Sequence, residues 1–158
     1  MEQPPATVSH LKRREIQAPI AACLIRGFAK AVGTDKALAV ATAAIQADAT
    51  VAGEMTAKRY GDKTMATLAR VVREVWAEND AIVIRVSEET ERSLRFDVTR
   101  CRYAEMYERL GLEDLGVCLS CSRDDAFTRG FNPRIRLTRT QTLMQGAPFC
   151  DFRFTLEP

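Results

Sequence analysis

The sequence predicts an α+β domain in which N-terminal helices pack on one face of a four-stranded antiparallel sheet made of two hairpins. Three observations carry that expectation. Residues 9–77 space their apolar side chains at helical intervals. The pattern changes at Asn79-Asp80 to short segments rich in β-branched and aromatic residues. The last of these, 149–156, alternates strictly, with Cys150, Phe152, Phe154 and Leu156 on one face and Asp151, Arg153 and Thr155 on the other.

Each element has its own signal. Residues 1–8, with Pro4 and Pro5 and no periodicity, read as a flexible tail ahead of a single domain over 9–158. Ser9 caps a helix to about Val32 that Gly33 stops, and Pro19 is expected to kink or split it. Thr34 caps a second helix, 35–60, ended by Gly61. Its face of Ala37, Ala41, Ala44 and Ala47 permits close helix approach, and a homodimer is one use of that face. Asp62 caps a third helix to about Ala77, with Leu68, Val71, Val72, Val75 and Trp76 as its buried stripe. Strands are expected over 81–87 and 93–98. Thr99 caps a helix that Gly111 stops, and a helical stretch follows over 112–121. Ser122-Arg-Asp-Asp125 reads as a capping box opening a short helix closed by Gly130. After the Asn132-Pro133 break, 134–142 and 149–156 form the second pair of strands.

Composition then excludes several function classes. With 23 basic and 21 acidic residues in 158, the charge balance is too even for a nucleic-acid footprint. The longest apolar run, Ala18 to Ile25, is far short of a membrane span, so no membrane partner is expected. With no secretory pattern, the five cysteines read as free thiols in a reducing cytoplasm. No dinucleotide fingerprint, P-loop or nucleophile elbow is present, so no cofactor is called for. The single histidine, His10, reads as a solvated residue at a helix start.

Cysteine and arginine are the residue types with unusual placement. Cys118-Leu-Ser-Cys121 spaces two thiols by three on a helix, near one face, but the sequence offers neither a second such pair nor the loop position of a redox motif. No metal ligand set is legible. Cys23 and Cys118 lie in apolar stripes and read as small core residues. Cys121 and Cys150 have acidic and arginine neighbours, in Cys121-Ser-Arg-Asp124 and Cys150-Asp-Phe-Arg153. A thiol beside Arg123 with a lowered pKa is a candidate nucleophile. On a regular strand Asp151 and Arg153 point away from Cys150, so a cross-strand charge ladder is the competing reading there. If Thr138, Thr140 and Thr142 face the helices, their hydroxyls line a polar pocket, and Arg139 either faces outward or clamps a carboxylate.

Several of these motifs resemble, in order, the L-2-amino-thiazoline-4-carboxylic acid hydrolase family. They are Cys101-Arg-Tyr-Ala-Glu-Met-Tyr107, Leu110-Gly-Leu112, Cys121-Ser-Arg-Asp124, Gly130-Phe-Asn132, Leu137-Thr-Arg-Thr-Gln-Thr142, Gly146 and Cys150-Asp-Phe-Arg-Phe154. The resemblance implies hydrolytic opening of a small nitrogen heterocycle, a cyclic amidine, with a small-molecule substrate as the partner. Water or a thiolate attacks the ring carbon bearing the amine. On the motif positions, Cys121 or Cys150 is the thiolate candidate, and Asp124 or Asp151 is the general acid/base. Arg123 or Arg139 grips the carboxylate, with Thr140 and Thr142 orienting the ring. The competing class is a non-catalytic small-molecule binding or sensor domain with the same helix-on-sheet body.

Overall fold

The computed structural model describes residues 8–158; the expected tail falls, but for Val8, outside the described residues. Helix α1 (His10–Val32) opens with Ser9, whose side chain accepts from Lys12 N at 3.2 Å. It runs through Pro19 without a break. Pro19 lies on the exposed side, where solvent replaces the amide bond that proline cannot make. Gly33 serves two helices at once. Its N–H donates to Ala29 O at 2.9 Å, and its carbonyl accepts from Ala37 N at 3.1 Å. It therefore caps α2 (Thr34–Tyr60) in place of Thr34, with a φ of 89° that favours glycine.

α2 packs against α5 (Arg123–Phe131) with almost no side chain between them. A Cβ on Gly53 would lie 2.1 Å from Phe127 O, and one on Gly130 would lie 2.0 Å from Thr50 O. Of the alanine face on α2, Ala37 is buried and Ala41 half-buried, whereas Ala44 and Ala47 are exposed.

α3 (Met65–Val71) is capped by Thr64, not Asp62: Thr64 Oγ1 accepts from Thr67 N, while Asp62 accepts the Thr64 amide. The expected stripe is buried at Leu68, Val71, Val72 and Trp76 and half-buried at Val75, but Val72–Trp76 is one turn of π-helix. A hairpin of β1 (Ile82–Glu89) and β2 (Ser93–Cys101) follows. β2 outruns its expected end because Val83 and Ile82 pair with Arg100 and Cys101, so Thr99 is a strand residue and no cap.

Helix α4 (Arg102–Arg109), a short 3-10 turn and a second π turn (Val117–Cys121) lead into α5. No capping box forms at Ser122. The chain is already helical there (φ −65°, ψ −16°), and the hydroxyl instead donates to Cys118 O at 2.6 Å.

β3 (Ile135–Thr138) is much shorter than expected. The carboxylate of Asp151 accepts the amides of Thr140 and Gln141, each at 2.9 Å, and pulls the chain off the ladder after Thr138. β4 (Cys150–Leu156) then pairs with both β2 and β3, giving an antiparallel sheet of order β1-β2-β4-β3. The α+β class and the helix-covered sheet are as the sequence predicts.

The alternation of β4 builds the main core. Cys150, Phe152 and Phe154 are buried opposite Val98, Phe96 and Leu94, with Phe96 stacked on Phe152 at 5.0 Å between centroids. α3, its π turn, Phe131 and Ile135 close the same cluster. A second cluster joins Ala18, Ala22 and Ile25 of α1 to Met106, Tyr107 and Leu119. Between these two packed regions the wall turns polar.

Candidate active site

A cavity of about 620 Å³ opens where α1, α2, the two π turns, α5 and β4 converge. Both π turns border it: the first supplies Val75 and Trp76, the second Ser120 and Cys121. Such turns widen a helix locally and recur at functional sites. The wider turn also separates the Cys-x-x-Cys thiols. Cys118 accepts from Thr42 Oγ1 of α2 at 3.3 Å, whereas Cys121 lines the cavity, so they do not share the expected face.

Five of the eight candidate residues meet on this wall: Cys121, Arg123, Asp124, Arg139 and Cys150. Asp124, in the first turn of α5, is ion-paired with Arg139 from the segment after β3. The second arm of Arg139 donates to Cys121 O at 3.0 Å, and the guanidinium lies 4.9 Å from the Phe152 ring centroid. Arg139 is thus fixed on three sides, and it faces inward. Arg123 crosses to α2 and donates to Asp48 Oδ2 at 2.6 Å, with its own side chain 10% exposed.

Asp151, Thr140 and Thr142 lie off the cavity. Asp151 and Thr140 bond one another at 2.7 Å at the end of the sheet, and Thr142 is buried but spends its hydroxyl capping the turn at Gln145. Thr138 is exposed as well. The row of pocket hydroxyls is not formed, because the chain leaves strand geometry after Thr138 and the alternation ends with it. The cross-strand charge reading holds for Arg153, which pairs across the sheet with Asp97 Oδ1 at 2.8 Å, while Asp151 bonds Thr140 instead.

The start of α1 folds over the site and supplies His10, which the sequence reading assigned to solvent, together with Arg14. His10 Nδ1 lies 2.8 Å from Tyr103 Oη, and Arg14 Nη2 lies 3.4 Å from His10 Nε2. An arginine only donates, so Nε2 is the acceptor and Nδ1 carries the proton toward Tyr103. The Tyr103 hydroxyl in turn donates to Trp76 O at 3.4 Å. Burial, with Arg14 and Arg123 nearby, pushes the imidazole down to about 4, so His10 is neutral at pH 7. The spacing of His10 and Arg14, one helical turn apart, was the available signal, but it also fits a solvated helix face.

Electrostatics correct the thiolate expectation. Burial, and the neighbouring Asp124, push the Cys121 thiol well up, above any neutral range, and Arg139 only partly offsets this. Cys101 rises to about 11, chiefly by burial, and Cys150 is raised for the same reason. Arg123 is spent on Asp48 and does not activate Cys121. Burial likewise pushes the Asp124 carboxyl up, against the pull of Arg139. Among the described residues, no group of three or more His, Cys, Asp or Glu side chains is arranged to hold a metal ion, and no helix is long and apolar enough to cross a membrane.

Helices over an antiparallel sheet, with a charged cavity at their junction, define a compact α+β domain. The profile of the L-2-amino-thiazoline-4-carboxylic acid hydrolase family matches residues 13–154, and the chain belongs to that family. No curated protein sequence matches the chain. Two solved structures share the fold at a TM-score of 0.55 and 10% identity each. One is the phenol-responsive sensory domain of the transcription activator PoxR with phenol, covering 95% of this chain and 76% of that one. The other is a trafficking protein particle complex subunit 3 from Naegleria fowleri covalently bound to palmitic acid, covering 92% and 96%.

Proposed function

We propose that the protein hydrolyses a small cyclic amidine of the 2-amino-thiazoline-4-carboxylate kind, with an activated water as the attacking group. The observation that carries this reading is the Asp124–Arg139 pair on the cavity wall. A carboxyl whose pKa burial raises, held against a fixed guanidinium that opposes the shift, suits a group that takes up a proton and returns it. In the proposed step Asp124 takes a proton from water as the oxygen bonds to the ring carbon between sulfur and amine. Asp124 passes that proton to the ring nitrogen as the carbon–nitrogen double bond opens. The carbon–sulfur bond then breaks as the carbon–oxygen double bond forms, and Asp124 relays the remaining hydroxyl proton to the sulfur leaving group. The products are a free thiol and a carbamoyl group, so one water is consumed and charge balances. Cys121 and Cys150, held protonated, line the pocket and are not the nucleophile in this route.

The test is turnover of 2-amino-thiazoline-4-carboxylate by wild type, Asp124→Asn, Cys121→Ser and Cys150→Ser, each checked for folding. The reading expects wild-type ring opening, its loss in Asp124→Asn and its survival in both cysteine variants. Loss in a folded cysteine variant moves the attack to that thiol. A sensor reading has one supporting observation, since the PoxR sensory domain with phenol shares this fold. Tight, saturable binding without turnover favours it.

A further inference from the structure

Five arginines line the cavity; Arg13 and Arg59 are exposed, whereas Arg14, Arg123 and Arg139 are buried or half-buried, and two of these three pair with carboxylates. Arg123 has Asp48, and Arg139 has Asp124. Arg14 also lines the cavity, yet among the described residues it forms no ion pair with a carboxylate. Its Nη1 donates to the amide oxygen of Gln17 at 3.0 Å, its Nη2 makes a long contact with neutral His10, and its Nε is buried without a partner.

A guanidinium does not shed its charge at any accessible pH. A partly buried cation without a counterion is costly, and here a second guanidinium, Arg123, is near enough to repel it. Burial and Arg123 outweigh Tyr107, Asp48 and Tyr103, which relieve the charge only in part. His10 is turned so that its lone pair, not a carboxylate, meets Arg14, and the Tyr103–Trp76 chain fixes that orientation. Arg14 is therefore the one guanidinium withdrawn from solvent on this wall that has no paired carboxylate among the described residues.

We propose that Arg14 is the binding residue for the acidic group of the substrate, and that this group is a monoanionic carboxylate. One half-buried guanidinium without a paired carboxylate matches one negative charge, and its fork matches a planar two-oxygen group. The assignment moves the carboxylate clamp away from Arg123 and Arg139, whose forks are occupied. His10 is a positioning residue for Arg14. The proposal rests on the reading of this cavity as the substrate site, but it does not depend on turnover.

Trp76, the one tryptophan, lines the same cavity and gives an intrinsic fluorescence signal. The experiment titrates thiazolidine-4-carboxylate, a saturated ring with no amidine to hydrolyse, against its primary carboxamide and against inorganic phosphate. Wild type is expected to bind the carboxylate at least about tenfold tighter than the carboxamide, the usual worth of a charged hydrogen bond. Arg14→Gln removes that preference, Arg14→Lys keeps part of it, and Arg92→Gln, at the far end of β2, keeps all of it. Equal binding of the two compounds by wild type, binding of neither, tighter binding of phosphate, or a preference retained in Arg14→Gln overturns the proposal. The wild-type comparison needs no variant to fold. Carboxylate preference without turnover of any amidine sinks the hydrolase reading alone; turnover without that preference sinks only the role of Arg14.

Discussion

His10 and Tyr103, 93 residues apart, meet edge to face with Nδ1 2.8 Å from Oη. Burial holds the imidazole neutral, and the contact fixes which nitrogen carries the proton. Arg14, Arg123 and Arg13 add to burial in disfavouring its proton, and the nearby Glu78 is engaged by the His10 backbone N–H at 3.2 Å. A folded pKa of about 4, below the ordinary 6.5, contributes stability that is fully present above 6.5 and is lost as pH falls through 4. Between pH 7 and 4.5 this one group is expected to cost ~2.5 kcal/mol. Urea midpoints of wild type and His10→Gln at the two pH values check it. The variant starts less stable and shows a smaller acid loss by about that amount.

The approach of α2 to α5 gives a prediction with two signs. A methyl on Gly53 or Gly130 meets backbone atoms near 2 Å, and backbone cannot rotate away as a side chain does. Gly53→Ala or Gly130→Ala is expected to cost about 3 kcal/mol or more, the upper end for overpacking. Gly27 sits exposed inside α1 with nothing within 4 Å, so Gly27→Ala stabilises by roughly 0.5–1 kcal/mol through helix propensity. Thermal melts of the three variants separate the signs.

Much of the frame was legible because its signals are local. Gly33 and Gly61 end helices where only a positive φ fits, and the strict alternation of 150–156 sets the inner face of β4. The misreadings arose where a distant partner outcompeted a local preference. Asp151 draws in the amides of Thr140 and Gln141 and cuts β3 short; pairing with β1 carries Thr99 into a strand. The acidic and arginine half of the site was visible in the Cys121–Asp124 motif. The His10–Arg14 half was not, since a helix start folding over a cavity leaves no mark in its own sequence beyond a one-turn spacing.

Thiol chemistry should divide by location. Cys101, Cys121 and Cys150 are pushed up by burial, with Cys101 at about 11, so at pH 7.5 less than about one molecule in a thousand carries that thiolate. Cys23 is exposed on α1. Limited alkylation of the native protein, read by mass spectrometry of peptides, is expected to label Cys23 first and the three cavity thiols only after unfolding. Early labelling of Cys121 contradicts the burial that argues against a thiolate nucleophile.

The direction of the Asp124 shift sets the form of the pH–rate profile. Acting as base, the carboxyl must be ionised, so kcat/KM rises with pH through its pKa in the free enzyme. Burial places that pKa above the ordinary aspartate value of 3.8, and Arg139 opposes the shift. Removing the guanidinium in Arg139→Gln leaves only the weaker pull of Arg123 and Arg14 against burial. The acid limb is then expected to move to higher pH, with kcat reduced at neutral pH and partly recovered on the alkaline side. Arg139→Lys, which keeps a charge but loses the second arm on Cys121 O, should shift the limb less. A limb at the same pH in wild type and Arg139→Gln assigns the titrating group elsewhere, because no residue on this wall other than Asp124 is ion-paired with Arg139.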